Sequence, residues 1–504
     1  MEQTLSAKKP LKLDVKRTIW IGLAFFGILL VWQLYNSYCA PMLSFLFVKH
    51  DYAHLIQGHE ELDLKGLLLH NIITQEQYLD VQWKVGIIMA LDNIAALFIM
   101  PIFGILSDKT KSRLGKRMPY IIIGSVVTAI ALPFIPFFFS KGMGSGSYNT
   151  TVSLAGMIAG MITTMVVIIV FMMSYRSPAV SLMPDFTPKP LRSKANGIIN
   201  VVGYVGGAVG SVFAIALPVT TYFDGSNASM WMLEIPFIVC SVVLLGSLAL
   251  LLWKVRENKL HAELDEEIRQ FDDAGESAES IKAEKMSKTN IRNLVLILIA
   301  EALWFMSLNA VETFQTNFCM FWLNTPSSGG AIMTVLSGAA SVVGFLIAGK
   351  IADKIGRKWT IFIGICTVAL CYVAFIFFKQ VVPSEGGVEP FASKLPFMFF
   401  VLLPTIGLGS SLIHICSFPL VTDYCTSDKL GRFTSLYYTA SMLAQSVTPI
   451  AIGFIFRLTS WIALPIYSAI LMASAGAVFF FVKAPKANDR VSNAKGLEAL
   501  GSDD

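Results

Sequence analysis

Five ionisable side chains fall inside long apolar stretches of this sequence: Asp92, Arg176, Glu301, Glu312 and His414. Ionisable groups inside a membrane are costly and are usually retained for function. A carboxylate that alternates between a neutral and an ionised form can couple the movement of a proton to the movement of a solute. We therefore predict that Glu312 and Asp92 are proton-coupling residues, with Arg176 as their counter-ion.

Structural roles are the alternatives for these groups. Either carboxylate could make a hydrogen bond that only packs neighbouring helices, and Arg176 could pair with Asp185, nine residues further along the chain. Glu301 falls in the predicted inner third of its stretch, where a long side chain can reach the membrane surface. His414 stands between two isoleucines, which favours a hydrogen-bonded helix histidine over a proton relay.

Neutral polar and aromatic side chains accompany these charges, and they have the chemistry that a sugar requires. A sugar needs many neutral donors and acceptors, together with an aromatic face for its C–H side. A spacing of three residues places Gln33 beside Asn36, and Glu312 beside Gln315, on single helix faces. The predicted substrate-binding residues are Gln33, Tyr35, Asn36, Asn196, Asn200, Trp304, Asn309, Gln315, Tyr437 and Gln445.

The composition indicates which elements position these residues. Of the 504 residues, 55% are hydrophobic and 14% are charged, whereas a soluble domain has about 25% charged residues. Together with a mean hydropathy of +0.64, this excludes disorder and a disulfide scaffold and argues against a soluble enzyme. The net charge of +5 is too small to suggest nucleic-acid binding. The seven cysteines show no metal spacing, so we expect no metal and no cofactor.

Twelve apolar stretches are long enough to cross a bilayer, which takes about 20 residues of helix. We therefore predict an all-α integral membrane protein with membrane lipid around it. The predicted spans are 18–48, 81–107, 119–139, 151–183, 195–219, 229–253, 292–323, 328–352, 357–379, 395–422, 431–457 and 461–482.

The basic residues predict the orientation of these spans. With the N-terminus inside, 31 of the 39 lysines and arginines fall on inner segments and 7 on outer ones. Cytoplasmic loops carry this excess, so we expect both termini in the cytoplasm of a monomer in the plasma (inner) membrane. The predicted organisation is a tail at 1–17, a six-helix bundle at 18–253, a linker at 254–291, a second bundle at 292–482 and a tail at 483–504.

The two sets of six spans repeat each other. Gly104 and Asp108 precede a basic loop after the second span, and Gly349 and Asp353 do so after the eighth. Parallel repeats of this kind form the two halves of transporters that bind substrate between them. We predict that paired charges at the inner loops close an inner gate, although they could also serve only to set the topology. The predicted gate residues are Asp108, Arg117, Asp185, Lys194, Asp353, Arg357, Asp423 and Arg432.

The doubled loop motif resembles the signature of the major facilitator superfamily. The sequence resembles the sucrose/proton symporters more closely. This likeness is found in Leu91-Asp-Asn93, in residues 107–120 and in Tyr175-Arg-Ser-Pro178. These symporters belong to the glycoside–pentoside–hexuronide:cation symporter group. The string Asn309-Ala-Val-Glu312 resembles the bacterial members of that group. The resemblance implies two pseudo-symmetric six-helix bundles and cation-coupled transport of a sugar or glycoside. We predict that the solute is small and neutral, that the cation is a proton, and that uptake proceeds by alternating access.

This sequence departs from the family at the positions of its known coupling carboxylates. Ile169 stands where the plant sucrose carriers have a carboxylate, and Ala96 and Met100 stand where melibiose-type members have aspartates. Two other functions stay open: a facilitator or exporter of a non-sugar solute, and a membrane sensor or receptor. A membrane enzyme is not expected, because no cluster of residues has catalytic or metal-binding spacing.

Overall fold

A computed structural model describes residues 13–59, 62, 64–143, 153–188, 191–220, 231–264, 288–383, 388–424 and 430–483. Within these ranges the side chains of 64, 192–194, 231, 422–423 and 430–435 are not described. Most of the predicted tails and linker therefore falls outside the described residues. The described part of the chain is helical and contains no strand.

Within the described ranges, twelve helices are long and apolar enough to cross a membrane, and each coincides with a predicted span. They are α1 (Val15–Asp51), α2 (Gln82–Lys109), α3 (Met118–Ala131, continued by Phe134–Met143), α4 (Leu154–Asp185), α5 (Arg192–Ala216), α6 (Trp231–Lys254), α7 (Lys288–Phe321), α8 (Ser328–Ile355), α9 (Arg357–Phe375), α10 (Phe399–Tyr424), α11 (Leu430–Leu458) and α12 (Ala463–Phe480). The prediction of twelve spans is confirmed.

Local chemistry explains where several of these helices begin. The Asp14 side chain accepts the backbone N–H of Arg17 at 3.0 Å and caps α1, and Ser153 caps α4 in the same way. Gly356 has a φ of 86° and forms the turn between α8 and α9, a conformation that glycine adopts without strain. Three short helices, Ala53–Ile56, Leu64–Leu69 and Gln75–Asp80, cover one end of the bundle.

The helices pack as two halves, α1–α6 and α7–α12. In the first half α1 lies along α5, and α4 packs against α2 and α3. In the second half α8 and α9 lie along α10, and α7 packs against α11 and α12. The halves meet where α2 contacts α11, α5 contacts α8 and α1 contacts α7. The repeat relates α1 to α7, α2 to α8 and α5 to α11. The α2–α11 contact therefore corresponds to the α8–α5 contact, and the α1–α7 contact corresponds to itself, as a duplicated unit requires.

Glycines allow two of the closest helix contacts. A Cβ on Gly86 of α2 would lie 2.1 Å from the carbonyl oxygen of Pro449 on α11, so the two halves touch backbone to backbone there. A Cβ on Gly206 of α5 would lie 2.2 Å from the carbonyl oxygen of Phe26 on α1. Small residues permit this approach between membrane helices, so α5 packs closely on α1 within the first half.

We call the end of the bundle that carries the loop 110–117 and the α8–α9 turn the basic end. The carboxylate of Glu257, in the segment after α6, binds the backbone at this end. Glu257 is 1% exposed, and its oxygens accept the backbone N–H groups of Lys116, Arg117 and Met118 at 2.8–3.0 Å. A carboxylate at the start of α3 satisfies donors that the helix leaves unpaired and complements the helix dipole.

Replacing Glu257 with alanine is expected to destabilise the protein by about 2–3 kcal/mol, because three backbone donors lose a charged acceptor. The measurement is the melting temperature of the purified protein. Glu263→Ala is the matched control, since that side chain is 54% exposed in the same segment after α6 and its loss is expected to cost about 0.5 kcal/mol at most. Equal melting temperatures for the two variants would contradict the capping role.

Candidate substrate site between the two halves

A central cavity of about 30 Å³ lies where the two halves meet, which is space for about one water molecule. Asp92 lies ten residues from the start of α2 and Glu312 nine residues from the end of α7, about 14–15 Å from those helix ends at the rise of an α-helix. The cavity is lined by Trp32 and Asn36 of α1, Met89, Asp92 and Asn93 of α2, Asn309, Glu312 and Thr313 of α7, and Gln445 of α11.

A hydrogen bond across this cavity joins the halves. The Asn36 side-chain amide donates to Glu312 Oε1 at 3.1 Å, across 276 positions of sequence. Glu312 is exposed and Asn36 is half-buried, so solvent reaches this carboxylate in the middle of the bundle. A bond that both halves share is placed to respond when they move apart.

Two carboxylates and one guanidinium interact electrostatically around the cavity: Asp92, Glu312 and Arg176. Asp92 is 4% exposed and accepts the backbone N–H of Asn93 at 2.5 Å and its side-chain amide at 2.7 Å. The Arg176 guanidinium lies 5.7 Å from the ring centre of Trp32, a cation–π distance. The structure thus brings together the three residues that the sequence predicted for coupling.

Neutral polar groups complete the lining. Asn36, Asn309 and Gln445 of the predicted substrate residues face the cavity. Asn309 Oδ1 is buried without a hydrogen-bond partner among the described residues, so it can accept a bond from a bound molecule. Tyr35 lies next to the site, with its ring 6.2 Å from Trp32 and its hydroxyl likewise unpartnered.

The other predicted substrate residues lie away from the cavity lining in this conformation. On α1 and α5, Gln33 donates to Ser37, Asn196 is exposed near the start of its helix, and Asn200 is half-buried.

In the second half, Trp304 is fully buried and packs against Phe479 of α12. Gln315 donates to Thr334 of α8 at 2.7 Å, and the Tyr437 hydroxyl shares a 2.7 Å hydrogen bond with Ser417. These contacts belong to helix packing within one half.

Two predictions about ionisable groups meet different outcomes. Glu301 is 0% exposed, so the alternative in which its carboxyl group reaches the membrane surface does not hold, because the rest of the protein covers it completely. His414 is half-buried with its ring 5.4 Å from Phe305, which leaves its predicted structural role as a prediction.

Sequence reasoning missed four lining residues: Trp32, Met89, Asn93 and Thr313. Asn93 and Thr313 directly follow the two predicted carboxylates, so their position in the chain was a usable signal. Trp32 precedes Asn36 by one helical turn, which places both on one face. Met89 carried no signal, because a methionine in an apolar helix fits lipid, core and cavity equally well.

A fully buried polar cluster closes the bundle at the end opposite the basic end. Ser44 of α1, Gln82 of α2 and Asn317 of α7 are each 0% exposed. The Asn317 amide donates to Ser44 Oγ and to Gln82 Oε1, both at 3.0 Å, and the Gln82 amide donates to Ser44 at 3.1 Å. We call these three residues the polar seal, because they join the second half to the first.

Further contacts between the halves lie at the same end. Arg457 of α11 pairs with Asp80 at 2.8 Å, and the ring of Phe321 stacks 4.4 Å from Tyr78. Because this end is closed while Glu312 is exposed, we infer that the cavity opens toward the basic end.

Three predicted gate residues of the first half, Asp108, Arg117 and Asp185, form a network within that half. Arg117 contacts Asp108 at 2.5 Å and Asp185 at 3.0 Å, and Lys116 contacts Asp185 at 3.2 Å. Burial alone would lower the pKa of Arg117, but hydrogen bonds and charges from Asp185 and Asp108 raise it above its ordinary value. These pairs brace α2, α3 and α4 against one another.

The equivalent residues of the second half are only partly described. Asp353 is exposed, and Arg357 donates to the carbonyl oxygen of Pro419 at 3.4 Å. The side chains of Asp423 and Arg432, and that of Lys194 in the first half, lie outside the described residues. Gating by these eight residues therefore stays a prediction. Across the described part of the chain, no group of three or more His, Cys, Asp or Glu residues is placed to hold a metal ion.

Known proteins resemble this chain in sequence. It is 23% identical over 381 residues to the sucrose transport protein SUC4 of Arabidopsis thaliana, covering 70% of this chain and 72% of that protein. It is 26% identical over 312 residues to the lactose permease of Leuconostoc lactis. That second match covers 58% of this chain and 45% of the permease.

Structure and family agree with the predicted fold. A bacterial homologue of the iron transporter ferroportin in an inward-facing state aligns with a TM-score of 0.61 at 12% identity, over 93% of this chain and 99% of that one. A likeness at this identity shows the fold alone. The family model of the Major Facilitator Superfamily matches residues 72–378 and 294–501. The twelve helices, their duplicated packing and this match together show that the chain belongs to the Major Facilitator Superfamily.

Proposed function

We propose that this protein is a secondary active transporter that takes up a small neutral sugar or glycoside together with a proton, by alternating access. We place it in the plasma (inner) membrane with both termini in the cytoplasm, as the basic loops indicate. The observation that carries the proposal is the Asn36–Glu312 hydrogen bond between the halves. It lies in the cavity that Asp92 also lines, and both carboxylates interact electrostatically with Arg176.

The charges of the cavity favour a proton and a neutral solute. With both carboxylates ionised, Asp92, Glu312 and Arg176 together carry one net negative charge. Binding one proton brings the net charge of these three groups to zero. A site without net charge is enclosed in the membrane interior at lower electrostatic cost when the protein changes conformation. A charged solute would instead leave the protonated site unbalanced.

The neutral side chains suit a sugar. Asn36, Asn309 and Gln445 offer amide donors and acceptors, and Trp32 offers a flat aromatic face, which together match the hydroxyls and C–H face of a sugar ring. The relatives are a sucrose transport protein and a lactose permease by name, which supports the same substrate class.

The size of the cavity requires movement. About 30 Å³ is far below the roughly 300 Å³ or more of a typical small-molecule pocket. A sugar therefore needs α1 and α7 to separate, which breaks the Asn36–Glu312 bond. In the proposed cycle, sugar and proton enter from the end of the bundle that carries the polar seal. The polar seal then forms behind them, and both leave toward the basic end.

Uptake into proteoliposomes tests this function. A thermal-shift screen of mono- and disaccharides, starting with sucrose, lactose and maltose, selects the sugar that stabilises the purified protein. With the membrane potential clamped at zero and the interior alkaline, that sugar is expected to accumulate above its external concentration, and a protonophore abolishes the excess. Uptake that only equilibrates, equally fast with and without the pH gradient, would overturn proton coupling.

A further inference from the structure

Glu301 of α7 is a second buried carboxyl, which the proposed cycle does not use. Its side chain is 0% exposed, and neither carboxyl oxygen has a hydrogen-bond partner among the described residues. The indole nitrogen of Trp304, one turn further along α7, is likewise buried without a partner. Buried polar groups are almost always hydrogen-bonded, so two adjacent exceptions indicate a site rather than packing alone.

Among the side chains that the structure describes, the ionisable groups near Glu301 are two tyrosines, a histidine and a further tyrosine, with no lysine or arginine. On α11, Tyr437 and Tyr438 interact with it electrostatically. On α10, His414 packs on Phe305 of α7, and on α12 the ionisable residue is Tyr467.

The remaining neighbours of α7 are α8 and α1. Their nearest cations, Lys350 and Arg17, lie toward the basic end. An ionised carboxylate in such surroundings would be uncompensated.

We propose that Glu301 is a second proton-binding site, in the second half, beside Tyr437 and Tyr438 of α11. Its use in transport rests on the proposed proton-coupled function, whereas the binding of the proton does not. In this conformation the carboxyl is neutral, which removes the need for a counter-ion.

This site is separate from the one in the cavity. Glu301 and Glu312 are eleven residues apart on α7, about 16 Å along the helix axis. Glu312 is exposed and bonded to the first half, whereas Glu301 is enclosed by helices of its own half. The two carboxyls therefore meet different neighbours and take up protons independently.

Glu301 does not reach water in this conformation. Its neighbour on α11, Tyr437, shares a hydrogen bond of 2.7 Å with Ser417, and Ser417 is itself 0% exposed. Release of the proton to water, which leaves one carboxylate at Glu301, therefore requires the helices of the second half to move apart around it.

Infrared spectroscopy of the purified, sugar-free protein tests the proton site. Protonated and ionised carboxyls absorb at different frequencies. At neutral pH the wild-type spectrum is expected to contain a protonated-carboxyl band that Glu301→Gln removes and Glu312→Gln retains. Glu301→Asp, which keeps the acid but shortens it, is expected to shift the band and provides a second assignment. A carboxylate band lost from Glu301→Gln instead would overturn the proposal.

A further arm tests the ion. Replacing sodium with choline at constant pH is expected to leave the band unchanged, and a band that appears only without sodium would show a sodium site instead. This result does not depend on which solute is transported.

Discussion

Replacing Glu312 with glutamine is expected to abolish accumulation driven by a pH gradient while leaving exchange of sugar across the membrane intact. One proton per sugar supports about tenfold accumulation for each unit of pH difference. The accumulation ratio of the variant should fall to about 1, the equilibrium value, because no free energy from the proton gradient reaches the sugar. Proteoliposomes with a clamped membrane potential measure both properties.

The physical reason is the geometry of the bond that joins the halves. Glutamine has the shape of glutamate, and its carbonyl oxygen can accept the Asn36 amide as Glu312 does now at 3.1 Å. It is neutral at every pH, so the charge in the cavity no longer changes when a proton arrives. Binding and the movement of the halves are retained, whereas the link between proton and solute is lost.

Glu389→Gln is the matched control, because Glu389 is exposed in the segment before α10, away from the cavity. It should accumulate sugar as the wild type does. Undiminished accumulation by Glu312→Gln would remove Glu312 from coupling and transfer the role to Asp92, which Asp92→Asn then tests in the same assay.

Replacing Asn317 with alanine is expected to shift the protein toward a conformation open at the end opposite the basic end. Asn317 supplies both hydrogen bonds that tie the second half to Ser44 and Gln82. Leaving buried groups without partners costs about 1–3 kcal/mol, a change of roughly 5- to 150-fold in the equilibrium between conformations. In the open conformation water replaces the lost partners, so only the closed one is destabilised.

Distance measurements by pulsed electron paramagnetic resonance follow this shift. Spin labels on Glu76→Cys in the first half and Thr459→Cys at the end of α11 use exposed positions at the same end of the bundle. A longer-distance population should grow in Asn317→Ala. Gln315→Ala is the control on the same helix, because Gln315 bonds Thr334 within its own half. An unchanged distance distribution in Asn317→Ala would show that the polar seal does not hold this end closed.

Much of the fold could be predicted from the sequence of each apolar stretch taken by itself. The seventh span was predicted at 292–323 and the helix runs Lys288–Phe321. The second was predicted at 81–107 and runs Gln82–Lys109. This agreement has a simple cause: the bilayer fixes the length and polarity of each spanning helix, and every backbone group must bond within it.

The candidate site was predictable in part. Asp92, Arg176 and Glu312 stood out because an ionisable group inside a membrane is costly wherever it lies along the chain. Trp32 and Trp304 looked alike, since each is an aromatic residue in an apolar helix. Trp32 lines the cavity, whereas Trp304 is buried against Phe479.

The sequence by itself determined the number of spans, their duplication, the basic end and the three central charges, because each is a property of one local stretch in a membrane. Only the tertiary structure decided which face of each helix meets the cavity, that Asn36 bonds Glu312, and that Ser44, Gln82 and Asn317 close the opposite end. Those facts depend on the rotation of each helix, which packing against side chains far away in sequence sets.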